Sequence, residues 1–337
     1  MLLEAILLLL PLLIVALHPP ADDPSEWEQF KKDFGKVYSS PEEESQRFEN
    51  FVKSMEEART LNEEHKGQAT FGINQFSDQT LAEFSKNINT LETSDEAPLE
   101  GQNREDIDRS RAPARSVDYR TSLKSTKWIK NQGQCESCYI FSALGAIEAH
   151  VEKNTGMSLP LSDQMMLDCL KPRTCFRGTN VEALNYVRQH GVLPQNGYKP
   201  YSAVQQRCGN TAGSKVYIDG HQLKWLQGNE TRLAQNVDQK GPVSGAIHSS
   251  IEAVKHYRGG ILSTPSCLNR QADHAILIIG YGTDAASGQD YWLIKNSWGT
   301  SWGEQGYLRL RRNDGNMCSV ATYPISYPQI GRNCWRA

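Results

Sequence analysis

Gln132-Gly133-Gln134-Cys135-Glu136-Ser137-Cys138-Tyr139-Ile140-Phe141-Ser142 sets a glutamine and two cysteines directly ahead of a helical pattern. From there Ile140, Phe141, Leu144, Ile147 and Val151 recur on one helix face, over about residues 138–154, and Gly156 closes the run. Cys138 therefore stands at a helix start. A thiol attacks a carbonyl only as thiolate, and its free pKa of about 8.5 leaves little anion near neutral pH. The unsatisfied N–H groups and positive dipole end of the helix are expected to hold that anion, with a nearby imidazolium lowering the pKa further. Cys135 and Cys138 also spell a Cys-x-x-Cys redox pair or metal half-site, but no second such pair, histidine cluster or thioredoxin-like pattern accompanies them, and no metal is expected.

Two downstream segments supply partners for the thiol. Of eight histidines, His274 has the clearest setting, because Asp273-His274-Ala275 opens an apolar strand 136 residues after Cys138. Thiol hydrolases of one common type show roughly 130–150 residues there. Asn296-Ser297-Trp298-Gly299 follows the next strand. An Asn296 amide accepting from the imidazole N–H would fix its tautomer and ring angle, and Trp298 would shield that bond from water. Gln132 precedes the thiol by six residues, so its side-chain amide and the Cys138 backbone N–H can point at one oxyanion.

The 337 residues suggest two domains, and 38% hydrophobic with 9% aromatic content is enough for a large core. A formal charge of -3 argues against nucleic acid or an anionic membrane surface as partner. Residues 1–21 read as a cleaved secretory signal, since the apolar run falls short of the ~20 residues that span a bilayer. Eight cysteines in a secreted chain argue for an oxidised framework. With Cys138 kept free, Cys135, Cys169, Cys175, Cys208, Cys267 and Cys318 make three bridges and Cys334 is unassigned. Asn229-Glu230-Thr231 is a glycan sequon.

The chain divides by composition. Trp27, Phe30 and Phe34 stripe one helix, and a second begins at Ser40 and Pro41 and is expected to reach about Asn62, with Glu43 and Arg47 paired along it. Residues 71–78 read as a short strand and turn, with Asp78 capping a small helix that carries Leu81 and Phe84. Residues 22–88 thus form a helical module. Residues 89–114 have the Pro- and Gly-punctuated, charged composition of a solvated, cleavable strap. Residues 115–337 form the second domain, with helices at 138–154, after Ser162 and over 180–190. Strands are expected over 215–218, 242–247, 275–281, 291–295 and 306–312. Helices first and strands later make an α+β domain of two halves facing a cleft.

On these motifs residues 128–328 resemble the papain-like cysteine proteases of the cathepsin L type, and the first ninety residues resemble their inhibitory propeptide. The propeptide motif of spaced Glu, Arg, Phe, Asn, Ile and Asn is matched at Glu43, Arg47, Phe51 and Asn62, with Ser54 and Ala58 departing from it; a second motif is complete at Gly72, Asn74, Phe76 and Asp78. The resemblance implies a helical left lobe and a β-barrel-like right lobe, with Cys138 and His274 on opposite walls of the cleft. It also implies the bridges Cys135–Cys175, Cys169–Cys208 and Cys267–Cys318, a mature chain starting near residues 113–117, and a propeptide lying backwards through the cleft. The activity implied is a thiol endopeptidase made as a zymogen, a monomer in the lysosome or outside the cell, acting on polypeptides without cofactor. Substrate would touch Glu136, Arg177, Gly178, Thr179, Asp273 and Trp298.

Glu136 and the Phe176-Arg177-Gly178 run depart from the family's glycines, so Glu136 and Arg177 either pair and narrow the cleft or stand as two independent solvated charges. Thr179 and Asn180 are more polar than the usual lining of the S2 subsite. A second reading, a catalytically weak relative acting as a binding protein, rests on those same departures; retention of all four chemical residues counts against it.

Overall fold

The computed structural model describes residues 24–88, 107–171, 175–176 and 178–336. The expected signal at 1–21, most of the strap, and Arg177 with its pairing to Glu136 lie outside the described residues.

The N-terminal module holds α1 (Pro24–Phe34), α2 (Pro41–His65), β1 (Ala69–Phe71) and α3 (Leu81–Ile88). Ser40 caps α2 by accepting from the Glu43 N–H, Pro41 fills the first turn where its missing donor costs nothing, and Lys66 in the left-handed region ends the helix. The aromatic stripe does what its spacing predicts. Trp27 and Phe30 of α1 bury against Phe51 of α2, with ring centroids 5.3 and 4.9 Å from it, each contributing about 1.5–3 kcal/mol by burial. Asp78 is no helix cap. Its carboxylate takes Lys36 and Tyr38 at 2.8 and 3.0 Å, while Thr80 caps α3 reciprocally with Glu83. Arg47 likewise lies closer to Glu83 (3.0 Å) than to Glu43 (3.9 Å).

The second domain opens with β2 (Val117–Asp118) and then α4 (Cys138–Thr155), α5 (Asp163–Cys169) and α6 (Asn180–His190), followed by β3 (Lys215–Val216), β4 (Gly220–Lys224) and α7 (Glu230–Lys240). After these come β5 (Val243–Ile247), α8 (Glu252–Lys255), β6 (Tyr257–Leu262), β7 (His274–Thr283), β8 (Asp290–Lys295), β9 (Tyr307–Arg311), β10 (Ile325–Gln329) and β11 (Trp335–Arg336). Helix α6 starts where Thr179 and Glu182 close a reciprocal cap. Helix α4 ends at Gly156, whose φ of 75° a side chain would resist.

The main sheet runs β1-β6-β9-β8-β7-β5-β10-β4, with β2 added on β7, so a strand of the N-terminal module forms one end of the second domain's sheet. Only β6 and β9 pair in parallel; the other neighbours are antiparallel. Helix α4 is buried along most of its length between α5 and α6 on one side and β5 and β7 on the other. Its Ser142 hydroxyl meets Ser244 Oγ and Ile276 O, both at 2.6 Å. In the described end of the expected strap Ile107 is buried and Arg111 pairs with Asp238 of α7 at 3.1 Å, while residues 108–112 and 114 are exposed.

Candidate active site

Cys138 is the first residue of α4 and His274 the first of β7, so the thiol and the imidazole arrive at the junction of the two lobes from different elements. The backbone N–H of Ala275, next to His274, donates to Cys138 Sγ at 3.4 Å. Both side chains are fully buried and Cys138 is a free thiol. On its far side His274 Nε2 lies 2.8 Å from Asn296 Oδ1, and that oxygen also accepts from the Ser297 N–H at 2.8 Å. With the amide oxygen so occupied, the Nε2 position must carry the proton, which leaves Nδ1 as the ring's base. Trp298 covers the pair, its ring 4.6 Å from that of His274.

Gln132 is held in one orientation. Its backbone N–H donates to Ser297 O at 2.8 Å, the Ser297 hydroxyl donates to Oε1 at 2.7 Å, and Nε2 donates one hydrogen to Cys135 O at 3.0 Å. The second Nε2 hydrogen remains for an oxyanion. Ser137 provides no side-chain cap at the start of α4, and the Ile140 N–H donates to Ser137 O at 2.9 Å. Ser297 thus ties the Gln132 loop to the Asn296 turn; its position in the quoted run was visible in the sequence, but nothing there marked its hydroxyl as the link.

In the closed chain burial opposes the anion expected at a helix start. Burial pushes the Cys138 pKa up to about 12, against the lowering influence of the Ala275 and Tyr139 N–H groups, and the charges of Asp273 and Glu136 add to the rise. Behind Asn296 lies a cavity of about 20 Å³, lined among others by Lys130, Ser142, Glu148 and Lys295. Lys130 bridges Glu148 and Asp163 at 2.8 and 2.9 Å. Burial lowers Lys295 to about 8 and raises Asp163 to about 6. This charged seam between the lobes comes from residues far apart in sequence, and no local pattern announced it.

The remaining expected residues are placed as follows. Gly178 packs so tightly on Tyr139 that an added Cβ would sit 2.5 Å from the ring. Thr179 caps α6, and Asn180 is buried with neither amide atom hydrogen-bonded. Asp273 is engaged by the loop at 248–250, with Ser249 N–H at 2.7 Å and His248 at 2.9 Å; although burial opposes ionisation, these partners hold its carboxyl below the usual range. Disulfides join Cys135 to Cys175, Cys169 to Cys208 and Cys267 to Cys318, and Cys334 is free and buried. Asn229 is exposed and its Oδ1 caps α7 through the Arg232 N–H.

The N-terminal module closes over this site. Gln75 Nε2 donates to Trp298 O at 2.6 Å, Asn74 Nδ2 to Lys255 O at 2.7 Å, and the rings of Phe76 and Phe84 meet Trp298 edge-on at 5.6 and 5.4 Å. Residues 113–328 match the papain family cysteine protease profile, and residues 27–84 match the cathepsin propeptide inhibitor domain. The chain belongs to the papain family of cysteine proteases. Digestive cysteine proteinase 1 of Homarus americanus is 36% identical, aligned over 95% of this chain and 98% of its own length. Cathepsin S of Bos taurus is 33% identical over 90% of this chain and 92% of its own. Among solved structures, digestive procathepsin L 3 of the Tenebrio molitor larval midgut superposes with a TM-score of 0.80 at 33% identity, covering 91% of this chain and 98% of that one. The recombinant stem bromelain precursor gives 0.78 at 30% identity, with 91% and 98% covered. This papain-family protease therefore carries its inhibitory propeptide in the same chain, and the binding-protein reading gains no support.

Proposed function

We propose that Cys138, His274, Asn296 and Gln132 form the catalytic set of this protease. His274 takes the thiol proton, Cys138 Sγ attacks the substrate carbonyl, and Gln132 Nε2 with the Cys138 N–H holds the oxyanion. The proton then passes from His274 to the departing amine, and water with His274 as base releases the acid and restores the thiol. Asn296 keeps the ring turned for both transfers. The observation that carries this is that the Ala275 N–H at the start of β7 donates to Cys138 Sγ while the neighbouring His274 bonds Asn296 Oδ1.

The mature chain begins within residues 113–117, a position favoured because Val117 and Asp118 already pair with Tyr281 and Gly280 of β7. Glu136, Gly178, Thr179, Asp273 and Trp298 border the substrate. Because Asn180 has an unsatisfied amide, P2 side chains able to hydrogen-bond are favoured over bulky apolar ones. The chain works in the lysosome or outside the cell, and Asn229 carries a glycan on Nδ2. Treating full-length and acid-processed protein with an epoxide probe and mapping both by mass spectrometry tests this: modification is expected at Cys138 after propeptide removal. A fully processed chain unmodified at Cys138 overturns the assignment.

A further inference from the structure

Helix α2 meets the catalytic domain at α8 through the two positions where it departs from the propeptide motif. Ser54, fully buried, accepts from Lys255 Nζ at 3.2 Å, and Ala58 packs into the core that also holds Val254 and Tyr257. Small side chains at both places let α2 lie close. Between them Glu57 projects at His256 Nε2 (3.1 Å) and Lys255 Nζ (3.8 Å), and Glu252 reaches the same two groups at 3.2 and 3.4 Å. Lys255 and His256 are buried, so Ser54 and Glu57 of the propeptide supply two of the three oxygen partners named for the Lys255 ammonium. The geometry of Glu57, Glu252 and His256 would also suit a cation, but Lys255 already brings a positive charge to both carboxylates.

We infer that Glu57 is a clamp that holds the propeptide on the catalytic domain at pH 7 and keeps part of its grip at pH 4, so that acid frees the cleft mainly by acting elsewhere. The inference rests on reading residues 24–88 as the segment that blocks the site.

The groups facing Glu57 are Lys53 on its own helix at 3.4 Å, with Glu252, Lys255 and His256 from α8 and the residue after it; from α3, Glu83 is turned to Arg47. Burial resists ionisation of Glu57, but the His256 hydrogen bond and the Lys255 charge outweigh it and bring the carboxyl down to about 2. A folded-state value depressed that far gives its full stabilisation above the ordinary carboxyl value of 4.5 and loses it progressively from there down through about 2, so that docking is weakened only about fourfold by pH 4.

The test uses the full-length chain. Wild type, Glu57→Gln and Glu57→Asp are incubated with a fluorescent epoxide probe at intervals from pH 7 to pH 4, and labelling of the uncut band is timed. Glu57 leaves with the propeptide, so the mature enzyme from all three is the same molecule. Equal peptide kcat/KM after processing therefore places any difference in docking. Glu57→Gln is expected to label about tenfold faster at pH 7, since one partner of a buried pair is lost, and still about twofold faster at pH 4, with Glu57→Asp close to wild type. Equal rates for wild type and Glu57→Gln at pH 7 would overturn the clamp. So would an advantage that vanishes by pH 4.5, because Glu57 would then be the group that acid neutralises. Processed chains that never label would instead sink the thiol assignment on which the clamp depends.

Discussion

Alkylation of the uncut chain measures how far the propeptide suppresses the nucleophile. Burial raises the Cys138 thiol from an ordinary 9.0 to about 12, which at 1.36 kcal/mol per unit is about 4 kcal/mol and lowers the thiolate fraction about a thousandfold at any pH below 9. Iodoacetamide reacts with the thiolate, so at pH 7 Cys138 in the full-length protein should react at least 10³-fold more slowly than in the processed enzyme, before steric exclusion is counted. The assay quenches native protein at timed intervals between pH 6 and pH 10 and quantifies the Cys138 peptide by mass spectrometry. In the uncut chain the logarithm of the rate should rise by one per pH unit, without a plateau, through pH 10. The linkage sign follows: above pH 9 the unfolded chain releases a proton that the closed zymogen retains, so the closed form loses about 1.4 kcal/mol of stability per further unit. A plateau below pH 9 in the uncut chain, or equal rates for uncut and processed protein at pH 7, would refute the reasoning.

Gln132→Ala removes an oriented oxyanion donor and should lower kcat by about 10²–10³-fold with a small change in KM, read on a fluorogenic peptide after processing. Gly260→Ala sets a Cβ 2.3 Å from Gln68 O at a φ of 81°; propeptide docking should weaken by about 1–3 kcal/mol, seen as faster probe labelling of the uncut chain. Burial lowers His150 to about 4 while its ring donates to Pro242 O. Stability in urea should therefore fall by about 3 kcal/mol as pH drops from 6.5 to 4, and His150→Gln should flatten that slope.

Local signals gave away the parts of the fold that are locally determined. Helix α6 occupies residues Asn180–His190 as its apolar spacing predicts, because Thr179 and Glu182 fix its start by their own chemistry. Strand β7 begins one residue earlier than expected, at His274 itself. The helix α7 escaped because Asn229 reads equally well as a sequon and as a helix cap. Strand β6 contains Gly259 and Gly260, which read as a turn, and its parallel partner β9 lies some fifty residues away. Pro328 hid β10 in the same manner. At the site the residue types and spacing were legible. The thiol's protonation was not, because it depends on how completely another part of the chain excludes water.

Strand β1 is the terminal ribbon of the main sheet, paired to β6 through Ala69 and Gly260, Thr70 and Gly259. Once the propeptide leaves, Tyr257–Leu262 becomes a raw border whose backbone groups have lost their neighbour. Such a border recruits other strands, and this one carries its own deterrents: two consecutive glycines that spoil a flat template, and the exposed charge of Arg258. Maturation therefore trades a latent enzyme for one with a newly uncovered seam, guarded by those three residues.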